Sequence, residues 1–186
     1  MQRRRRTKSS TQTEGPSEAK TLTSEQIFQR TFSRATKLLA ARSRSIAELS
    51  ELLLKGRQSS KEAVEEVITR LREYGYLDDE RFAFGYASLK VQQRPLGRQR
   101  LKRDLAVKKV DRATADEALD LVFREVSEEE LIDRAIEKRM RIRGRPENRA
   151  QAKSLFDYLL RLGFPLELVS EKVRAASKTD LDDETV

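Results

Sequence analysis

Apolar residues recur along this chain at intervals of three and four, in successive stripes separated by short polar breaks. Thr23 and Gln26 have capping-box spacing and Leu22 and Ile27 hydrophobic-staple spacing, so a first helix is predicted to open here. Phe28, Phe32, Ala35 and Leu39 continue its stripe. A second helix opens at Ser45, with Glu48 three residues on, carries Ile46, Leu49, Leu52 and Leu53, and stops near Lys55-Gly56. A third opens at Ser59 with Glu62 as its box partner, carries Val64, Val67, Ile68 and Leu71, and ends at Gly75. The fourth, from about Asp79, carries Phe82, Tyr86 and Leu89; Gly85 within it is either a weak point or a close-packing contact. Pro95 favours a break and fits the first turn of a fifth helix bearing Leu101 and Leu105. The sixth runs through Ala115, Ala118, Leu119, Val122 and Phe123, and the seventh starts at Ser127 and carries Leu131, Ile132, Ala135, Ile136 and Met140. Pro146 marks the start of the eighth, with Leu155, Phe156, Leu159 and Leu162. Gly163 ends it, and Pro165 opens a ninth with Leu168, Val169 and Val173. β-Branched residues sit singly inside these patterns rather than in alternation, so no strand is predicted.

The breaks repeat. Arg44-Ser45, Arg94-Pro95 and Arg145-Pro146 lie 50 and 51 residues apart, and Lys55-Gly56, Lys108-Lys109 and Leu162-Gly163 lie 53 and 54 apart. Two independent landmarks thus divide the chain into three units of three helices, at residues 22–76, 77–125 and 126–177. A three-helix unit of this size has little core of its own, so neighbours are expected to stack in an elongated, curved, all-α array. Residues 1–21 form a polar, basic arm that cannot bury a core and is expected to be disordered. Residues 178–186, with Asp180, Asp182, Asp183 and Glu184, form an acidic tail expected to fray.

Composition narrows the chemistry. Of 186 residues 38% are charged and 37% hydrophobic, and mean hydropathy is −0.73, which suits helices that each bury one stripe. There is no Cys, His or Trp, which excludes a Cys/His zinc site, a disulfide and any Ser-His-Asp or Cys-His machinery. No apolar stretch reaches a membrane span and no apolar segment follows the N-terminal charge, so a cytoplasmic protein without a membrane partner is expected. The formal charge of +8 favours polyanions or acidic protein surfaces.

That charge is concentrated. Residues 90–112 hold nine basic side chains against two acidic ones, a net of +7, and residues 134–153 hold eight against two, a net of +6. Within them Arg94, Arg98, Lys102, Arg103 and Lys108 belong to the second unit, and Arg139, Arg141, Arg143, Arg145 and Arg149 to the third. Arg94, Arg98 and Lys102 recur every four residues and are expected on one face, opposite Leu101 and Leu105, if the helix already covers Arg94. Stacked units would merge the two segments into one stripe. No aromatic residue interleaves them in sequence, so contact with nucleic acid would be phosphate-directed and steeply salt-dependent, without base stacking. The Arg3–Arg6 run reads as a solvated basic arm.

The run Gly75-Tyr76-Leu77-Asp78-Asp79-Glu80-Arg81-Phe82-Ala83 joins the first unit to the second. Gly75 suits the left-handed end of a helix, Tyr76 and Leu77 bring apolar plugs into a turn, and Asp78 or Asp79 caps the next helix, whose stripe Phe82 begins. Asp78, Asp79 and Glu80 are the tight carboxylate cluster of the folded region, and they read as caps rather than as metal or acid–base groups. With no phosphate loop and no nucleophile motif, the chain reads as a binding protein with no cofactor, not an enzyme.

This run resembles the hallmark of the RecX family of RecA regulators. The resemblance extends over about residues 30–177 and rests also on Arg94-Pro95-Leu96-Gly97-Arg98 followed by Leu101 and Leu105, on Lys55-Gly56, and on Arg161-Leu162-Gly163-Phe164 near the end. One departure is Lys109, where the family has Gly after Lys, which leaves the turn geometry there open. The resemblance implies a cytoplasmic monomer that binds RecA and its filament on DNA, lies in the filament groove, and restrains ATP hydrolysis, strand exchange and filament growth in recombination, DNA repair and the SOS response. Direct DNA contact would be weak and made through phosphates. Two other readings of the residues are a stand-alone, phosphate-directed DNA-binding protein with helix-turn-helix-like units and an adaptor for another acidic partner.

Overall fold

The computed structural model describes residues 22–56 and 59–177; the basic arm 1–21 and the acidic tail 178–186 lie outside the described residues. Among the described residues there are nine α-helices and no strand: α1 (Ser24–Ala41), α2 (Ile46–Leu54), α3 (Lys61–Glu73), α4 (Asp79–Gln93), α5 (Arg98–Val107), α6 (Arg112–Glu125), α7 (Glu128–Arg143), α8 (Arg149–Leu162) and α9 (Leu166–Ala176). The class is all-α, as the sequence predicts.

Local side-chain chemistry sets most of the starts. Thr23 and Gln26 form the reciprocal capping box of α1, and Ser45, Asp78, Asp111 and Ser127 each accept a backbone N–H three residues on. Three starts differ from the sequence reading. The cap of α3 is Ser60, which accepts from the Ala63 amide at 3.1 Å, and not Ser59. Pro95 does not sit in the first turn of α5. Proline disfavours helical backbone in the residue before it, Arg94 is extended (φ −148°, ψ 143°) as the C-cap of α4, and α5 begins only after Gly97. Pro146 likewise lies ahead of Asn148, whose side chain caps α8 by accepting from Gln151 at 3.0 Å.

The ends are equally local. Gly75 (φ 70°) closes α3 in a Schellman turn: its own amide donates to Arg72 and the Tyr76 amide to Leu71. Lys109 makes the same turn after α5 at φ 62°, with the Lys109 amide on Ala106 and the Val110 amide on Leu105. A side chain in this conformation costs on the order of 1–2 kcal/mol relative to glycine. Tyr76 is not the buried plug expected of it; it is 69% exposed, whereas Leu77 is 4% exposed.

The helices pack in threes along the chain. Helix α3 lies on α1 and α2, α6 on α4 and α5, and α9 on α7 and α8. The approach of α4 to α6 is the most extensive, because both present small side chains there: Ala83, Ala87, Ala115 and Ala118 are all buried. Two hydrophobic clusters result. One, in α1–α3 and the following turn, holds Ala35, Leu49, Leu53, Val64, Val67, Leu71 and Leu77. The other is continuous from Ala83 in α4 to Val173 in α9 and includes Leu101, Leu105, Leu119, Leu131, Ile132 and Leu159. Each such fully buried aliphatic chain contributes roughly 1.5–3 kcal/mol relative to exposure.

Backbone contact joins α5 to the end of α8. The Gly97 amide donates to the Leu162 carbonyl at 2.9 Å and the Gln99 amide to the Gly163 carbonyl at 3.1 Å. A Cβ at Gly97 would lie 2.4 Å from the Gly163 oxygen, and one at Gly163 would lie 2.2 Å from the Arg100 nitrogen. Gly85, by contrast, has open space around the position of a Cβ; it is the weak point in α4 and not a close contact.

Candidate basic interface

The basic residues near α5 do not share one face. Arg94 is outside the helix, so the four-residue spacing of Arg94, Arg98 and Lys102 is not a helical row. Acidic residues of α6 meet two of them. Arg98 Nη2 is 2.7 Å from Asp120 Oδ1 and 3.3 Å from the Asp116 carbonyl, and Lys102 Nζ is 2.5 Å from Asp116 Oδ1. The hydrogen bond from Lys102, aided by the charges of Lys102, Arg112 and Arg98, holds the Asp116 carboxyl below its usual range against partial desolvation. Lys108 turns toward α2, with Nζ 3.8 Å from Glu48 Oε2, while its carbonyl accepts the Ser45 hydroxyl. Arg94 stays exposed, and Arg103, also exposed, spends its Nε on the Gln99 carbonyl at 3.2 Å. The +7 segment is therefore partly neutralised by Glu48, Glu51, Asp116 and Asp120, which lie outside it in sequence.

The α7–α8 region keeps more of its charge. Arg139 and Arg143 are one turn apart on α7, and with Met140, Gly144, Pro146, Gln151, Ser154 and Leu155 they line a cavity of about 230 Å³. Arg139 stands 5.0 Å from the centroid of the Tyr158 ring and 3.3 Å from Ser154 Oγ. Arg141, Arg143 and Arg149 are exposed and have no ion-pair partner among the described residues. Arg141 lies about 200° around α7 from Arg139, so the arginines encircle the helix end rather than line one edge. Arg145 serves the fold instead. Its Nε donates to the Ala176 carbonyl at 2.7 Å and its Nη2 to the Ala175 carbonyl at 3.3 Å, satisfying the end of α9. Tyr158, Gln151 and Ser154 come to the site from α8. Tyr158 places an aromatic ring against the basic segment, which the linear pattern did not reveal because the ring lies beyond that segment.

The hallmark run is a joint. Asp78 caps α4, accepting from the Arg81 amide at 2.9 Å. Asp79 accepts the Ile46 amide at 2.8 Å, so it caps α2 across the first and second helix groups. Burial raises the Asp79 carboxyl above its ordinary value, reinforced by Asp111 and Asp78 and opposed by the Ile46 bond and Arg72. Phe82 stacks on Tyr86 with centroids 6.0 Å apart. Among the described residues no group of acidic side chains is placed to hold a metal ion, and no helix is long and apolar enough to cross a membrane.

Comparison with known proteins bears on the whole arrangement. Residues 78–119, which span α4, α5 and half of α6, match the family profile described as RecX, second three-helix domain. Regulatory protein RecX of Treponema pallidum is 42% identical over 110 residues, covering 59% of this chain and 66% of that protein, just under two thirds of its length. Regulatory protein RecX of Streptomyces coelicolor is 31% identical over 147 residues, 79% of this chain and 77% of the relative, and that of Chlorobium limicola is 33% identical over 147 residues, 78% and 88%. The crystal structure of RecX from Lactobacillus salivarius superposes with a TM-score of 0.70 at 19% identity, over 81% of this chain and 96% of that one. The fold is thus shared well below the identity at which sequence alone is informative, and on the strength of the longer-spanning relatives the chain belongs to the RecX family.

Proposed function

We propose that this protein is a cytoplasmic regulator that binds RecA and RecA–DNA filaments, and that it restrains ATP hydrolysis, strand exchange and filament growth in recombination and repair. The observation that carries the reading is the group Arg141, Arg143 and Arg149 of α7 and α8, exposed and without ion-pair partners among the described residues, on a chain whose relatives are named regulatory proteins. Such a cluster suits acidic protein surface or DNA phosphate, and it supplies no nucleophile or metal. The same chemistry makes any direct DNA contact weak and salt-dependent. The protein acts as a monomer built of the three helix groups 22–76, 77–125 and 126–177.

The decisive experiment is RecA-dependent ATPase and strand exchange with the protein at amounts below RecA. Inhibition is expected, and no effect on either reaction would overturn the proposal. Arg139→Glu with Arg143→Glu is expected to weaken filament binding about tenfold or more, ~1.4 kcal/mol, with helical content unchanged. Arg98→Glu with Lys102→Glu is expected to act mainly on stability, since it sets new acids against Asp116 and Asp120.

A further inference from the structure

The helix groups are joined unequally. Between α4–α6 and α7–α9 the joint is one continuous apolar core with the Gly97–Leu162 and Gln99–Gly163 backbone bonds, and a single carboxylate contact crosses it, Glu128 accepting the Arg98 amide at 2.8 Å. Between α1–α3 and the rest, the core is interrupted, and the cluster from Ala35 to Leu77 stands apart. Polar contacts cross that gap. The Ser45 hydroxyl donates to the Lys108 carbonyl, the Ile46 amide donates to Asp79 at 2.8 Å, and the Lys109 ammonium pairs with Glu51. Lys108 Nζ stands 3.8 Å from Glu48 Oε2, a buried oxygen with no hydrogen-bond partner among the described residues.

Lys109 is the sole non-glycine residue with positive φ among the described residues. Glycine would make this turn without steric cost. A lysine there carries backbone strain and gains an ammonium that reaches Glu51 on α2. Its partner responds in kind: hydrogen bonds from Lys109 and then Lys55 hold the Glu51 carboxyl below its usual value. Both ends of the pair are close to half exposed, so the contact is open to screening.

We propose that this joint is an electrostatic latch. Helices α1–α3 swing as one group about the Tyr74–Asp78 connection, held shut by Lys108 and Lys109 against Glu48 and Glu51, and released by salt or by an anion that competes for the two lysines. The other joint, sealed by a continuous core and two backbone bonds, does not open under the same conditions. The array therefore changes its curvature at one place.

The absence of cysteine makes the test clean. Spin labels on Glu66→Cys in α3 and Glu117→Cys in α6, both exposed positions, report the latch by pulsed dipolar spectroscopy. Labels on Glu117→Cys and Lys153→Cys in α8 report the apolar joint. Between about 0.01 M and about 1 M NaCl, where the Debye length contracts from roughly 30 to 3 Å, the short-distance fraction of the first pair is expected to fall by about half or more. The second pair is expected to stay unchanged. Lys109→Gly is expected to open the first pair already at low salt while the melting temperature holds or rises, because the turn is relieved; this separates opening from unfolding. Exchanging the charges, Glu51→Lys with Lys109→Glu, is expected to restore the short distance. For the unlabelled chain, the radius of gyration from small-angle scattering is expected to rise over the same salt range. A distance distribution for the first pair that is identical at both salt concentrations and in Lys109→Gly, with a constant radius of gyration, would overturn the latch.

Discussion

Three glycines in similar-looking helical sequence have three different fates, and each predicts a different response to alanine. Gly85 sits in the interior of α4 with no atom near the position of a Cβ. Gly85→Ala is expected to stabilise the protein by about 1 kcal/mol, read from denaturant midpoints, because it lowers backbone entropy in the unfolded chain and fills nothing. Gly97→Ala is expected to do the opposite. Its methyl would lie 2.4 Å from the Gly163 oxygen, so the turn must move and the two backbone bonds to α8 are lost. A cost of roughly 2–4 kcal/mol is expected, with a lower melting temperature. Gly75 needs its left-handed backbone rather than space. The left-handed role of Gly75 was legible in the sequence, but the close approach at Gly97 and the open space at Gly85 were not, because sequence does not show what passes beside a glycine.

At the scale of the element, what was legible is what is local. Thr23, Ser45 and Ser127 cap the helices they were expected to cap, and of the two candidates Asp78 and Asp79 it is Asp78 that caps α4, because the hydrogen bond spans three residues and needs no tertiary partner. Pro95 and Pro146 misled because a proline marks a break without saying on which side the next helix starts; Gly97 and Asn148 decide that, one through α8 and one through its own amide oxygen. The site was legible as a charge excess but not as a surface. Arg98, Lys102 and Lys108 find acids on other helices, and no residue adjacent to them in sequence announces it.

Asp79 is the element-scale case with a pH signature. Its carboxyl is raised by burial first, and then by Asp111 and Asp78. A carboxyl whose folded pKa exceeds its unfolded one favours folding most when protonated, so its contribution is lost as pH rises through the interval between the two values. Asp79→Asn keeps the oxygen that accepts the Ile46 amide and removes the charge. A higher melting temperature than the parent is expected at neutral pH, and the difference is expected to vanish below the ordinary aspartate range. Glu51, whose carboxyl is lowered, has the opposite sign: its ion pair with Lys109 is present above the ordinary glutamate range and is lost as pH falls through the lowered value.

On the scale of the whole molecule, the chain is a two-part body rather than three equal modules: α1–α3 with their own core, and α4–α9 sharing another. The regular spacing of the breaks reveals the helix groups but hides this asymmetry, which depends on whether a joint is made of leucine and glycine or of lysine and glutamate. The bond from Gly97 to Leu162 has a consequence for synthesis. A chain made from its N-terminus at about 5–20 residues per second completes the α1–α3 core within seconds of its emergence. The Gly97 and Gln99 amides at the start of α5 then wait for residues 162 and 163 before they find their acceptors. During that interval a nascent chain has finished its head and left the middle of its body unsealed, so a ribosomal pause between α6 and α8 prolongs the time for which the Gly97 and Gln99 amides lack their acceptors, while a pause before α4 leaves no such bond waiting.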